Sequence, residues 1–364
     1  MKYRFYTKTR AAWDAMYREI ASAQKSIYWE CYILMDDTRR HDFYQLLQRK
    51  ARSGVAVKVV VDSIGMFWGW QNRHLKESLE RSGVEVLYFN RLVPWWNPVR
   101  MRNWWFTRNH RKVLVVDERV GFLGGVNVGH AYARWFDLHV RLEGAIVQHL
   151  LRSFARSYEI CGGTEPAVLT LRHKRMRGGW LHRAKSYYLA HVPGAGSSHL
   201  QRLYQRSFDR AKDSITIVTP YFIPHGWFLE GLARARARGV RVRVLLPKDP
   251  REKFFSLINR LSACQAQRRG IDVRFSKSSS MNHSKAMLID ESEAMIGSTN
   301  IDANSIDNNF EANIVFRRRD MVRELSRIIR QWSDATTGIN VRTVHRGIVH
   351  RVLERFVNIL QPYL

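Results

Sequence analysis

Residues 109–117 read NHRKVLVVD, and residues 282–290 read NHSKAMLID. One pattern, H-x-K-x4-D, therefore stands twice in the chain: His110, Lys112 and Asp117, then His283, Lys285 and Asp290. The match continues downstream. GFLGGVN places Asn127 seventeen residues after His110, and AMIGSTN places Asn300 seventeen after His283. A lone H-x-K on a basic chain carries little weight. Two copies with matched Asp, Gly and Asn offsets point to a duplicated half-site, with one active centre built between the copies.

The repeat extends outward from these stretches. KSIYWECYIL (25–34) has its counterpart in DSITIVTPYFIP (213–224), RSGVAVKVVVD (52–62) in RARGVRVRVLLP (236–247), and RSGVEVLYFN (81–90) in RRGIDVRFSK (268–277). Each apolar, β-branched run follows a helix-like stretch ending near a glycine, the alternation of an α/β fold with a largely buried sheet. VLVVD and MLID read as further buried strands. Turn chemistry in CGGTEP, RGGW and PGAGSS places the join between the copies. The expected organisation is a first lobe over 1–165, a linker over 166–185, a second lobe over 186–335 opening on the strand-like YYLAHV, and a tail over 336–364.

Offsets also expose an insertion. Gly83 and Gly270 are 187 residues apart, whereas His110 and His283 are 173 apart, so the first copy carries 14 extra residues before its histidine. That region, LVPWWNPVRMRNWWF (92–106), holds Trp95, Trp96, Trp104 and Trp105 among basic residues. It reads either as a packed aromatic loop or as a membrane-contact or acyl-binding surface, where amphipathic rings and basic groups settle. Phe67, Trp68 and Trp70, just past a strand end at Asp62, either line an acyl-chain channel or fill space.

With 364 residues and 45% apolar content the chain can bury two full cores. Sixty Lys and Arg against 32 Asp and Glu leave a net charge of +28, which favours polyanions, either nucleic acid or an anionic membrane surface. Three scattered cysteines, outside any metal-ligand spacing, read as reduced thiols. No apolar run reaches bilayer-spanning length, and the first twenty residues lack a signal peptide's apolar centre. The expectation is a protein on the cytoplasmic side of the cell membrane, held there peripherally. The tail supports this: Val341, Val344, Ile348, Val352, Phe356 and Leu360 recur at helical spacing with arginines on other faces. Such a helix either lies in an anionic bilayer surface or packs on the core.

The paired groups suit a phosphodiester. One neutral imidazole can attack phosphorus and form a phosphohistidine. The other, protonated, can donate to the leaving oxygen and later take a proton from the incoming hydroxyl. Lys112 and Lys285 can neutralise the non-bridging oxygens, and Asn127 and Asn300 can add neutral hydrogen bonds. This chemistry calls for no metal and no cofactor. Each histidine needs a partner on its other nitrogen. Asp137, 27 residues after His110, and Glu311, 28 after His283, stand at equivalent places and can fix tautomer and orientation. Asp117 and Asp290, though part of the pattern, sit at strand ends and read more as supports for the lysines and backbone.

On these residues the chain resembles the phospholipase D superfamily, whose signature is H-x-K-x4-D with a following Gly-Gly/Ser-x-Asn. The second copy meets it with Ser298 before Asn300. WECYIL around Glu30, FDLHVRLEG, TPYFIP and NNFEANIVF narrow the resemblance to the bacterial cardiolipin synthases. It implies two similar lobes, each a mixed β-sheet flanked by helices, facing across a pseudo-twofold with both His–Lys pairs at the interface. It further implies ping-pong transfer of a phosphatidyl group, with phospholipids as partners, phosphatidylglycerol foremost. By this analogy His110 is the nucleophile, His283 the acid/base, and Glu30 a supporting residue. Many of these synthases begin with two membrane-spanning helices, so this chain resembles a shorter type. The rivals are a hydrolase of phospholipase D type, or a metal-independent nuclease using the same groups on nucleic acid. A silent polyanion-binding protein is disfavoured by two intact half-sites.

Overall fold

The computed structural model describes residues 1–35, 38–67, 73–90, 107–173, 185–193, 199–248, 250 and 253–338. The N-terminal half contributes β1 (Lys2–Lys8), β2 (Ser26–Cys31), β3 (Ala56–Asp62), β4 (Glu85–Phe89), β5 (Val113–Val116), β6 (Val120–Gly124) and β7 (Phe136–Glu143). These form one sheet in the order β1-β7-β6-β5-β2-β3-β4. The C-terminal half contributes β8 (Ser186–His191), β9 (Ser214–Val218), β10 (Arg241–Leu246), β11 (Asp272–Ser276), β12 (Ala286–Ile289), β13 (Glu293–Gly297), β14 (Glu311–Phe316) and β15 (Thr336–Gly338). Their order, β8-β14-β13-β12-β9-β10-β11-β15, repeats the first sheet strand for strand and adds β15 at the far edge. In the first sheet β2, β3 and β4 run parallel, and the remaining pairs are antiparallel. The parallel pairs need crossovers, supplied by helices Phe43–Arg52 and Arg73–Arg81. The molecule is thus an α/β protein of two similar lobes.

The strands are apolar on both faces because each sheet is covered twice. Along β3, Val57, Val59 and Val61 point into an outer core with Trp13, Phe43 and Leu47, while Val60 points the other way. That inner core joins the lobes. It gathers Val115, Leu150 and Phe154 of the first half with Leu288, Ile314, Phe316 and Ile329 of the second. A second outer core, around Phe208, Phe228 and Val244, closes the C-terminal lobe. Helices Val147–Ile160 and Arg319–Asp334 therefore lie between the sheets.

Two segments near the expected boundaries pack with the lobes. The segment read as linker begins inside the first lobe: Pro166–Leu169 and Thr170–His173 are short helices, and Val168 and Leu171 are buried in the inner core. Their apolar side chains dock on helix Val147–Ile160 instead of spanning open solvent. The tail's first three residues, Thr336–Gly338, add antiparallel to β11 and so belong to the second sheet. The remaining tail with Phe356, the insertion carrying Trp95, Trp96, Trp104 and Trp105, and Trp68 and Trp70 lie outside the described residues, as does the Phe67 side chain. Among the described residues no helix is long and apolar enough to cross a membrane.

Candidate active site

In an extended chain residues i and i+2 point the same way. H-x-K therefore turns His110 and Lys112 to one side just before β5, and His283 and Lys285 likewise before β12. All four are buried. Each lysine folds back on its own histidine: Lys112 Nζ donates to the His110 carbonyl at 2.7 Å, and Lys285 Nζ to that of His283 at 2.6 Å.

The two half-sites meet by backbone exchange between lobes. Asn109 pairs with Phe310, through His110 N–H to the Phe310 carbonyl at 3.0 Å and Phe310 N–H to the Arg108 carbonyl at 2.8 Å. By the same geometry Phe136 pairs with Asn282, through His283 N–H to the Phe136 carbonyl at 2.8 Å and Phe136 N–H to the Met281 carbonyl at 2.9 Å. The residue after each phenylalanine is an acid, and it lands on the histidine of the opposite lobe. His110 Nδ1 lies 3.0 Å from Glu311 Oε1, and His283 Nδ1 lies 2.9 Å from Asp137 Oδ2. Their equivalent places, 27 and 28 residues after the histidine of each copy, leave open which histidine each acid serves; the structure crosses the partners. A carboxylate on Nδ1 accepts that nitrogen's proton, which leaves Nε2 to face the centre.

Small differences break the symmetry. Ser298 donates its hydroxyl to Glu311 Oε2 and accepts the Ala312 N–H at 3.0 Å. Its counterpart is Gly125, where a Cβ would come within 2.2 Å of Asp137 Oδ1. The shorter acid thus takes the space that the serine side chain fills in the other lobe. His283 Nε2 accepts from Lys285 Nζ at 2.9 Å, whereas no partner for His110 Nε2 occurs among the described residues.

Burial, with Lys112 nearby, lowers the His110 pKa, and burial with Lys285 lowers that of His283 well below the usual imidazole value. Both shifts favour the uncharged imidazole. Burial also brings Lys112 down to about 7 and Lys285 to about 8, within reach of proton exchange near neutrality. Asp137 is pushed up to about 6 by burial, against the pull of Lys285. For Glu311 the same burial is outweighed by His110, Lys112 and Ser298, which hold its carboxyl below the ordinary range.

A further shell supports the first lobe's histidine. Glu30 Oε1 accepts from Asn109 Nδ2 at 2.7 Å, Asp62 Oδ2 accepts the Asn109 N–H at 2.8 Å, and Arg111 reaches the Glu311 carbonyl at 3.2 Å and the His191 carbonyl at 2.9 Å. Arg111, the unspecified residue of H-x-K, Asn109 and Asp62 were not singled out by sequence. A charge inside an apolar run, as in VVVD, was the available signal. Tyr32 stands edge-on to His110, ring centroids 5.1 Å apart, and Trp135 lies 5.1 Å from the His283 ring. The side-chain oxygens of Asn127 and Asn300 are buried, with no hydrogen-bond partner among the described residues.

Asp117 and Asp290, grouped with the catalytic residues by the pattern, are not at this centre. Each occupies the first central position of a hairpin turn in which both central residues have positive φ, 51° and 54° at Asp117–Glu118 and 49° and 48° at Asp290–Glu291. Such turns match the twist of the flanking strands and favour Asp or Asn. The Asp117 carboxylate accepts the backbone N–H groups of Gln24, Lys25 and Ser26 at 2.7–3.1 Å, and Asp290 those of Lys212, Asp213 and Ser214 at 2.8–2.9 Å. They fix the entry of β2 and β9, and support neither lysine directly. Asp117→Ala is expected to cost about 2 kcal/mol of stability, the scale of charge-assisted hydrogen bonds, while the folded enzyme keeps its turnover. Thermal unfolding alongside kcat checks this; a lost kcat at unchanged Tm would put Asp117 back in the chemistry.

Comparison with known proteins agrees with this architecture. The family described as "Cardiolipin synthase, PLD-like domain" matches twice, over residues 16–158 and 204–332. Cardiolipin synthase 2 of Bacillus anthracis is 29% identical over 99% of this chain and 71% of its own length. Cardiolipin synthase A of Pseudomonas fluorescens is 32% identical over 83% of this chain and 62% of its own. In fold, the crystal structure of phosphatidylserine synthase from Haemophilus influenzae covers 100% of this chain and 95% of its own at a TM-score of 0.75 and 14% identity. With both repeats matched over most of its length, the chain belongs to the cardiolipin synthase family of phospholipase D-like proteins.

Proposed function

We propose that this protein makes cardiolipin by transferring a phosphatidyl group from phosphatidylglycerol to a headgroup hydroxyl of a second phospholipid, through a phosphohistidine at His110. The observation that carries the reading is the crossed pair of His–carboxylate contacts, which fixes two Nε2 atoms at one centre between two lysines. His110 is the better nucleophile because its Nε2 lone pair is unengaged. His283 Nε2 already touches a proton source, the Lys285 ammonium at 2.9 Å.

In the first half-reaction His110 Nε2 attacks phosphorus, the P–O bond to the headgroup glycerol breaks, and that oxygen takes a proton passed from the Lys285 ammonium through His283 Nε2, which ends neutral. In the second, the acceptor hydroxyl gives its proton to His283, its oxygen attacks phosphorus, and the N–P bond breaks. Lys112, Lys285 and the amides of Asn127 and Asn300 bind the non-bridging oxygens as charge develops. The substrates place the enzyme at a bilayer, and the net charge of +28 favours an anionic one. A peripheral position on the cytoplasmic side of the cell membrane fits these requirements.

The test is product identification after incubation with phosphatidylglycerol vesicles. Cardiolipin and free glycerol are the expected products. Phosphatidic acid alone would make the protein a hydrolase. With no lipid product, cleavage of single-stranded DNA or RNA becomes the reading to try.

A further inference from the structure

Beside the His283 half of the centre, the surface opens into a cavity of about 810 Å³ lined by Arg10, Arg39, His130, Arg134, Trp135 and Met281, with small polar residues between them. Its walls come from both lobes. Arg10 is in the first turn of helix Thr9–Ser22, whose leading amide, Thr9 N–H, donates to the Trp135 carbonyl at 3.1 Å and pins the 130–135 loop to the helix start. Met281 lies two residues before His283, and the Trp135 ring is both the cavity wall and the neighbour of the His283 ring at 5.1 Å. The cavity therefore shares a wall with the chemistry.

Among the described lining residues its charge is one-sided. Three arginines and a histidine line it with no carboxylate among the described lining residues. Asp14, one turn further along the same helix, is taken by Arg40 at 2.9 Å and His41 at 2.6 Å. No ion pair engages Arg10 or Arg134 among the described residues, and His130 Nδ1 is buried without a partner. Arg10 and Arg134 gathered in one concavity repel each other and focus a field that favours an anion. Guanidinium forks are shaped for phosphate oxygens.

We propose that this cavity binds the phosphate of the acceptor phospholipid and so presents its headgroup hydroxyl to His283. The inference rests on the transfer reaction proposed above and identifies where its second substrate sits. Cardiolipin carries two phosphates joined by one glycerol. An enzyme that forms that bridge holds two phosphates at once, separated by a three-carbon arm. The first is on His110 between the two lysines. The second must lie on the side of the group that deprotonates the acceptor, and this basic cavity is on that side.

The double variant Arg10→Gln/Arg134→Gln tests the site without touching the catalytic groups. Two rates are measured on phosphatidylglycerol vesicles. Exchange of labelled glycerol into phosphatidylglycerol needs only formation and reversal of the phosphatidyl-enzyme; cardiolipin formation also needs the acceptor. Cardiolipin formation at low phosphatidylglycerol surface fraction is expected to fall about tenfold or more, with exchange held within about twofold of wild type. Equal losses in both rates, or no loss in either, would overturn the proposal. Absence of both reactions in the wild type would instead remove the transfer reading. The cavity is also read without turnover, by titration with glycerophosphoglycerol, the deacylated headgroup. Two binding sites are expected in the wild type and one in the variant. An unchanged number of sites would overturn the assignment whichever lipid the enzyme uses.

Discussion

His110→Ala and His283→Ala are each expected to lower phosphatidyl transfer by about 10⁴-fold or more, the scale on which single members of a nucleophile–base unit act. The two losses should differ in kind. Without His110 there is no nitrogen to take the phosphatidyl group, so glycerol release and glycerol exchange vanish together with cardiolipin. Without His283 the nucleophile remains, but the alkoxide leaves unprotonated and the acceptor keeps its proton, so any phosphatidyl-enzyme that forms decays slowly. Both rings are buried at the lobe interface. Each substitution leaves its carboxylate partner, Glu311 or Asp137, buried without the Nδ1 contact, so Tm should fall while circular dichroism keeps the wild-type fold. Steady-state rates with either variant within about tenfold of wild type would contradict the two-histidine account.

The second large effect concerns the crossed carboxylates. Glu311→Gln is expected to cost about 10²- to 10⁴-fold, because an amide no longer fixes Nδ1 as the protonated nitrogen of the ring. Its action is on His110, the histidine of the other lobe, at 3.0 Å. Asp137→Asn should act in the same way on His283, at 2.9 Å. Nitrogen-15 NMR of the imidazoles separates this crossed pairing from pairing within a repeat. Glu311→Gln should shift the His110 tautomer equilibrium and leave His283 almost unchanged, and Asp137→Asn the reverse. Shifts that follow the repeat instead of crossing it would refute the interlobe exchange through Phe310 and Phe136.

The repeat and the fold class were legible because a buried α/β sheet writes itself as β-branched runs at fixed offsets from glycine turns, and both copies keep those offsets. His–Lys proximity was legible for the same local reason, since i and i+2 share a side of an extended chain. The partners of the histidines were legible only as residue types. Spacing along a chain cannot tell whether a residue closes on its own copy or on its symmetry mate, and here the backbone pairs Asn109–Phe310 and Phe136–Asn282 decide it. Asp117 misleads in the opposite way. At about 3.3 Å per residue, the five steps from Lys112 carry it roughly 16 Å away along β5, to a turn where it serves β2. Val168, Leu171 and the three residues of β15 carry too little pattern to announce their docking on the lobes. The basic cavity was hidden altogether, since its lining comes from residues 10, 39, 130–135 and 279–281.

Capture of the covalent intermediate tests whether His110 carries the phosphatidyl group. His283→Ala protein is mixed with phosphatidylglycerol vesicles, quenched in alkali-stable conditions for phosphoramidates, digested, and mapped by mass spectrometry. A phosphatidyl adduct on the peptide containing His110, absent from the His110→Ala control, is the predicted result. An adduct on another residue, or cardiolipin formed by wild-type enzyme with no adduct at any time point, would contradict it.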